Sequence, residues 1–115
     1  MFMQQAIYCD RVVGAVALNH NKVVPNNRAI RLLEVRLATA TDVVAVEDLV
    51  IAIDHAESLV NSILHTESMT GYGATAAVSI KLPFLIKAGD TLNVAWPNAD
   101  GLSYLMEMFY ETLEV

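Results

Sequence analysis

The stretch "EDLVIAIDHAESLVNSILHTES", residues 47 to 68, decides the fold class of this chain. Leu49, Ile53, Ala56, Val60 and Ile63 recur at intervals of four and three, the spacing of one apolar face on an amphipathic helix. With period two instead, Leu49, Ile51 and Ile53 make one strand face and Val60, Ser62 and Leu64 a second, with "DHAES" between them. Val50, Ile51 and Ile53 are β-branched, which favours strands. The pattern alone leaves both readings open.

The sequence downstream is clearer. "MTGYG", 69 to 73, reads as a loop, and "TAAVSIKLPFLI" then sets Val78, Ile80 and Leu82 against Ser79 and Lys81. Pro83 is expected to end or bend that strand, because it has no N–H for a central ladder. In "IKAGDTLNVAWPNADG", 86 to 101, "KAGD" is a turn and Leu92, Val94 and Trp96 alternate with Thr91, Asn93 and Ala95. "PNADG" is a second turn, with Gly101 suited to a positive φ. The segment therefore reads as scaffold.

Upstream, "AIRLLEVRLAT" alternates from Leu33 through Val35 to Leu37, the mark of a half-buried strand. "NHNKVVPNN", 19 to 27, reads as a polar loop from its four asparagines and Pro25, and "RVVGAVAL" before it as a strand bent at Gly14. The last segment carries large apolar groups on both faces. Tyr104, Met106 and Met108 point one way in a strand, Leu105 and Phe109 the other, and one core can cover a single face. These five residues are the candidate interface.

A chain of 115 residues fits one domain, 1 to 115, that removes roughly 65% of its unfolded surface from water. Hydrophobic residues form 55% of it and charged ones 17%, an excess that points to a subunit interface. The net charge of −6 argues against nucleic acid, which needs clustered cations; Lys22, Arg28, Arg31 and Arg36 read as a solvated edge. "MFMQQAIYCDR" lacks the basic flank and apolar core of a signal peptide, and no uncharged run reaches the ~18 residues of a membrane span. The expectation is a soluble protein made in a cytoplasm. Cys9, the single cysteine, reads as a small buried hydrophobe.

The chemical candidates are sparse. Asp54, His55, Glu57 and His65 bear groups for acid/base or metal work, but at irregular spacing typical of solvated loops. Ser58, Ser62, Ser68 and Ser103 lie outside any known nucleophile motif. No catalytic, metal or cofactor site is expected. Trp96 with Tyr72, Tyr104 and Tyr110 offers faces for stacking sugars, although the alternation puts Trp96 with the core.

From Arg31 onward, about the last three quarters of the chain, the order of features resembles small structural proteins of tailed phages, of capsid-decoration (cement) or head-fibre type. The resemblance rests on "LLEVRLAT", "EDLVIAID", a strand ending near "ILHTES", "LPFLIKAGDTLNVAWPNADG" and the aromatic "SYLMEMFYE". It implies two strands in 47 to 68 and an all-β fold, a jelly-roll-like antiparallel β-sandwich of about eight strands. "DHAES" lacks the glycine common in such links, which keeps a helical turn near 55 to 60 open. The implied function is non-enzymatic: a decoration protein on the capsid surface of a virion, made in the host cytoplasm. Its implied partners are its own copies, a trimer being favoured, and the major capsid protein or another virion protein. The alternative is a carbohydrate- or receptor-binding module of a fibre or tail, with Tyr72 and Trp96 as ligand-binding aromatics.

Overall fold

The computed structural model describes residues 6–57 and 60–114. Eight strands account for the regular structure: β1 (Ile7–Gly14), β2 (Leu18–Val23), β3 (Arg28–Thr39), β4 (Asp48–Asp54), β5 (Ser62–Ser68), β6 (Val78–Ile86), β7 (Thr91–Trp96) and β8 (Tyr104–Glu114). They form two four-stranded sheets, β1-β8-β3-β6 and β2-β7-β4-β5. Among the described residues there is no helix, and so none long and apolar enough to cross a membrane.

Pairing is antiparallel and nested from the ends of the chain inward: β1 with β8, β2 with β7, β3 with β6 and β4 with β5. Lateral ladders between β3 and β8 and between β4 and β7 complete the sheets. This is one long hairpin wrapped into two layers, a jelly-roll β-sandwich.

The wrapping follows from which side chains must leave water. Leu18, Leu49, Ile51, Ile53, Leu92, Val94 and Trp96 come from one sheet, and Ile30, Leu32, Val35, Leu37, Met106 and Met108 from the other, all buried in one core. Each large side chain so covered contributes roughly 1.5–3 kcal/mol. Segment 47 to 68 is thus two strands. Residues 55 to 57 form a turn, and Ser58 and Leu59 lie outside the described residues.

Two readings of the strands change, and at Pro83 the structure has the bend rather than the end. Segment 19 to 27 is not simply a loop, since β2 runs through Asn19, His20, Asn21 and Lys22 in register with β7. "RVVGAVAL" is not one strand: β1 stops at Gly14 and the chain crosses to the other sheet before Leu18. A side chain at Gly14 would press on the Tyr104 hydroxyl, 3.2 Å from where its Cβ would stand.

β6 also continues past Pro83 to Ile86. It can do so because it is an edge strand and bulged: Leu32 faces Phe84 but Glu34 faces Lys81, so Leu82 and Pro83 together oppose Leu33. The same bulge shifts the inward face of β3 from Ile30 and Leu32 to Val35 and Leu37, leaving Leu33 half-buried.

Candidate functional site

The sandwich has two ends. At one, the β2–β3, β4–β5 and β6–β7 connections meet around Asp90. Gly89, at φ +89°, closes the "KAGD" turn and sets Asp90 at its end. The Asp90 backbone carbonyl accepts from Val24 N at 2.9 Å, and Gly89 N donates to the Val24 carbonyl at 2.9 Å.

The Asp90 side chain turns inward, so the residue is only 2% exposed. Its carboxylate accepts from Ala56 N at 3.1 Å and lies 3.0 Å from His55 Nδ1. Burial pushes the carboxyl up, but the Ala56 N–H, then His55 and Lys87, outweigh it and hold the group below the ordinary aspartate value. The other ring nitrogen, His55 Nε2, lies 2.7 Å from Ser62 Oγ. His55 therefore joins a buried carboxylate to an exposed hydroxyl, and its partners are neither Asp54 nor Glu57.

At the opposite end the β3–β4, β5–β6 and β7–β8 connections are joined mostly through main chain, and the β1–β2 connection through the Asn98 side chain. Val43 N donates to Tyr72 O at 2.7 Å, Gly71 N to Val43 O at 2.9 Å, Met69 N to Glu47 O at 2.9 Å and Ala40 N to Ser103 O at 2.9 Å. Buried Asn98, at φ 48°, donates to the Val16 and Leu102 carbonyls at 3.2 and 2.9 Å and accepts from Leu102 N at 2.9 Å. Gly101 has the expected positive φ, 64°. On this tied frame Val16, Val44 and Val46 stand 74%, 76% and 92% exposed.

A third cluster lies on the flank where β1 and β2 are edge strands. Asp10 meets His20 Nε2 at 2.9 Å and accepts from the Tyr110 hydroxyl at 3.0 Å. Lys22 sits 4.9 Å above the Tyr110 ring, which stacks on Tyr8 at 5.8 Å. Beside them is a cavity of about 280 Å³ whose lining includes Tyr8, Lys22, Arg28 and Tyr110.

Several sequence candidates end elsewhere. Tyr104, Met106 and Met108 fill the core and offer no outer surface, so the candidate interface narrows to Leu105 and Phe109, half-buried on the outer face. The reason is the alternation of β8, whose inner side is covered by the opposite sheet. Trp96 is 1% exposed and packs edge-on against Tyr104 at 5.7 Å, so it is not a sugar platform. Its indole N–H, expected to find an acceptor, has none among the described residues.

Tyr72 is half-buried and donates to Glu67, which also meets His65 at 2.9 Å; those two partners hold the Glu67 carboxyl low. No group of three or more possible metal ligands occurs among the described residues. Cys9 is exposed rather than buried, because it lies on the outer face of edge strand β1 opposite Phe109. Partial desolvation, then Glu107, push its thiol up.

Nothing in the local sequence marks Asp90 as a partner of His55. It lies 35 positions from His55, in a turn whose sequence accounts for it as scaffold.

No known protein family matches the chain, and no curated protein matches it. A solved structure of infectious bursal disease virus, Gx strain, is similar at a TM-score of 0.44 and 9% identity, over 96% of this chain. The chain spans about a third (32%) of that one's length. What the fold itself defines is the class: a two-layer jelly-roll sandwich with polar clusters at one end and one flank and three exposed valines at the opposite end.

Proposed function

We propose that this chain is a structural component of a virion, a decoration protein that associates with its own copies, as a trimer, and binds the outer surface of a capsid. Its work is done by binding free energy. The observation that carries the reading is the cluster of exposed valines at this end, with Val44 and Val46 on a loop already held by main-chain hydrogen bonds and Val16 on one held by the Asn98 amide. Docking there requires little further ordering, so less of the gain from burial is lost.

The apolar surface extends onto the outer face of the β1-β8-β3-β6 sheet, where Val13, Leu105 and Ala38 lie side by side in register. The resemblance in order of features from Arg31 onward to phage decoration proteins supports the virion context. Symmetric copies add such modest contacts into avidity.

A second reading, a glycan- or receptor-binding module, is supported by the flank cavity, where two stacked tyrosines lie beside Lys22 and Arg28. Light scattering followed by sedimentation with undecorated phage capsids separates the two. A decoration protein is oligomeric and co-sediments, and a Val16→Asp/Val46→Asp variant melts normally but does neither. A monomer that never co-sediments sinks the proposal, and retention on a glycan surface promotes the second reading.

A further inference from the structure

We infer that Ser62, His55 and Asp90 form a proton-relay triad that makes the Ser62 hydroxyl a nucleophile toward activated acyl and phosphonyl groups. This goes beyond the structural role proposed above and does not depend on it, because the trio sits at the opposite end of the sandwich from Val16, Val44 and Val46.

The argument is geometric. Three separated pieces of chain converge: the residue after β4, the first residue of β5 and the end of the β6–β7 turn. An ionised carboxylate can only accept hydrogen bonds, so at 3.0 Å Asp90 fixes the hydrogen of His55 on Nδ1. In the neutral imidazole Nε2 is then a lone-pair acceptor, and the contact at 2.7 Å is a hydroxyl donating from Ser62 Oγ. Asp90 cannot swing away readily, since it is buried and also held by Ala56 N. Ser62 is exposed on edge strand β5, so an electrophile can reach it. Acid, base and nucleophile thus stand in the order that general-base activation of a serine requires.

With an activated ester, Ser62 Oγ forms a bond to the carbonyl carbon while its proton passes to His55 Nε2. The carbon–oxygen bond to the leaving group breaks, the departing oxygen takes that proton, and an ester remains on Ser62. Water then attacks that ester with His55 again accepting the proton, which restores the hydroxyl and releases the acid. With a fluorophosphonate, fluoride leaves and the phosphonyl group stays on Ser62. Asp90 touches no reacting atom and is a positioning residue.

The test treats the full-length protein with a fluorophosphonate probe and locates the adduct by peptide mass. Ser79, exposed on β6 and hydrogen-bonded to Glu34 without an imidazole, is the control within the same molecule. Ser62 is expected to label at least about 100-fold faster than Ser79, the lower range for general-base assistance. Ser62→Ala removes the fast adduct without shifting the melt. His55→Ala brings Ser62 down to the Ser79 rate, and added imidazole restores it, which a purely structural clamp would not do. Asp90→Asn slows Ser62 and leaves the Ser79 rate unchanged. Labelling of Ser62 no faster than of Ser79 overturns the inference even if the variants fail to fold, as does fast labelling that survives the loss of His55.

Discussion

The two ends of this sandwich are closed by different chemistry. At the valine end, the 40–47, 69–77 and 97–103 connections are tied mainly by neutral main-chain bonds and by the amide of Asn98, with one carboxylate, Glu47, accepting from Ala99 N at 3.1 Å. At the other end a single buried carboxylate, Asp90, holds the turn after β4 to the turn before β7. A neutral network keeps its strength at any moderate pH, whereas a carboxylate holds only while ionised. The comparison teaches that rigidity alone does not mark function: one end presents Val16, Val44 and Val46, and the other presents an oriented hydroxyl beside exposed Val60 and Ile63.

The largest expected effect is at Asp90. Asp90→Ala removes the acceptor for Ala56 N–H and for His55, and should cost about 3 kcal/mol in urea unfolding, from bonds of roughly 1.5–3 kcal/mol each to a charged group. The sign of the pH effect follows from the lowered carboxyl. Its contribution is complete above the unfolded value of about 3.9 and is lost as pH falls through the lower folded value. Wild-type stability should therefore drop on acidification below about pH 4, and Asp90→Ala should show less of that drop. Equal acid sensitivity in both proteins would break the contrast between the ends.

A smaller loss is expected from Asn98→Ala. Three hydrogen bonds vanish and alanine must hold φ near 48°, together about 2 kcal/mol after partial replacement by water. That loss should be the same at pH 7 and pH 4, measured by the same urea titration. A loss that varied with pH would mean that the Asn98 amide is coupled to the neighbouring Glu47 carboxylate, which accepts from Ala99 N.

The smallest effect expected is none. Thermal melts with and without a chelator should coincide, because His55 is engaged by Asp90 and Ser62, and His65 by Glu67. A large fall in melting temperature would mean that metal, rather than the hydrogen bonds described, organises the Asp90 end.

Strands with one wet face were legible in the sequence. β3, β7 and the first half of β6 alternate because their outer residues meet water and their inner ones the core. β2 was not legible. Asn19 and Asn21 are on its outer side, where both accept from Asn93, and His20 and Lys22 on its inner side are engaged by Asp10 at the open flank. With both faces polar, period two leaves no trace, and only the pairing with β7 makes it a strand.

The 47 to 68 segment carried two periodicities at once. Ladders settle it, because β4 is paired on both sides, with β7 and with β5. A helix there would strip β7 of a neighbour and expose Leu49, Ile51 and Ile53.

By itself the sequence determined that this chain builds alternating strands around an apolar core, that "KAGD" and "PNADG" are turns, and that β8 is apolar on both faces. Local patterning records whether a face is wet or dry, so these features survive in one dimension. Tertiary structure alone decided which face of β8 is inside, since that depends on the bulge at Leu33 and on the opposite sheet. It alone also decided that Asp90, His55 and Ser62 meet, because a hydrogen bond depends on distance in space, and the wrapping of the two sheets brings together side chains that the sequence keeps far apart.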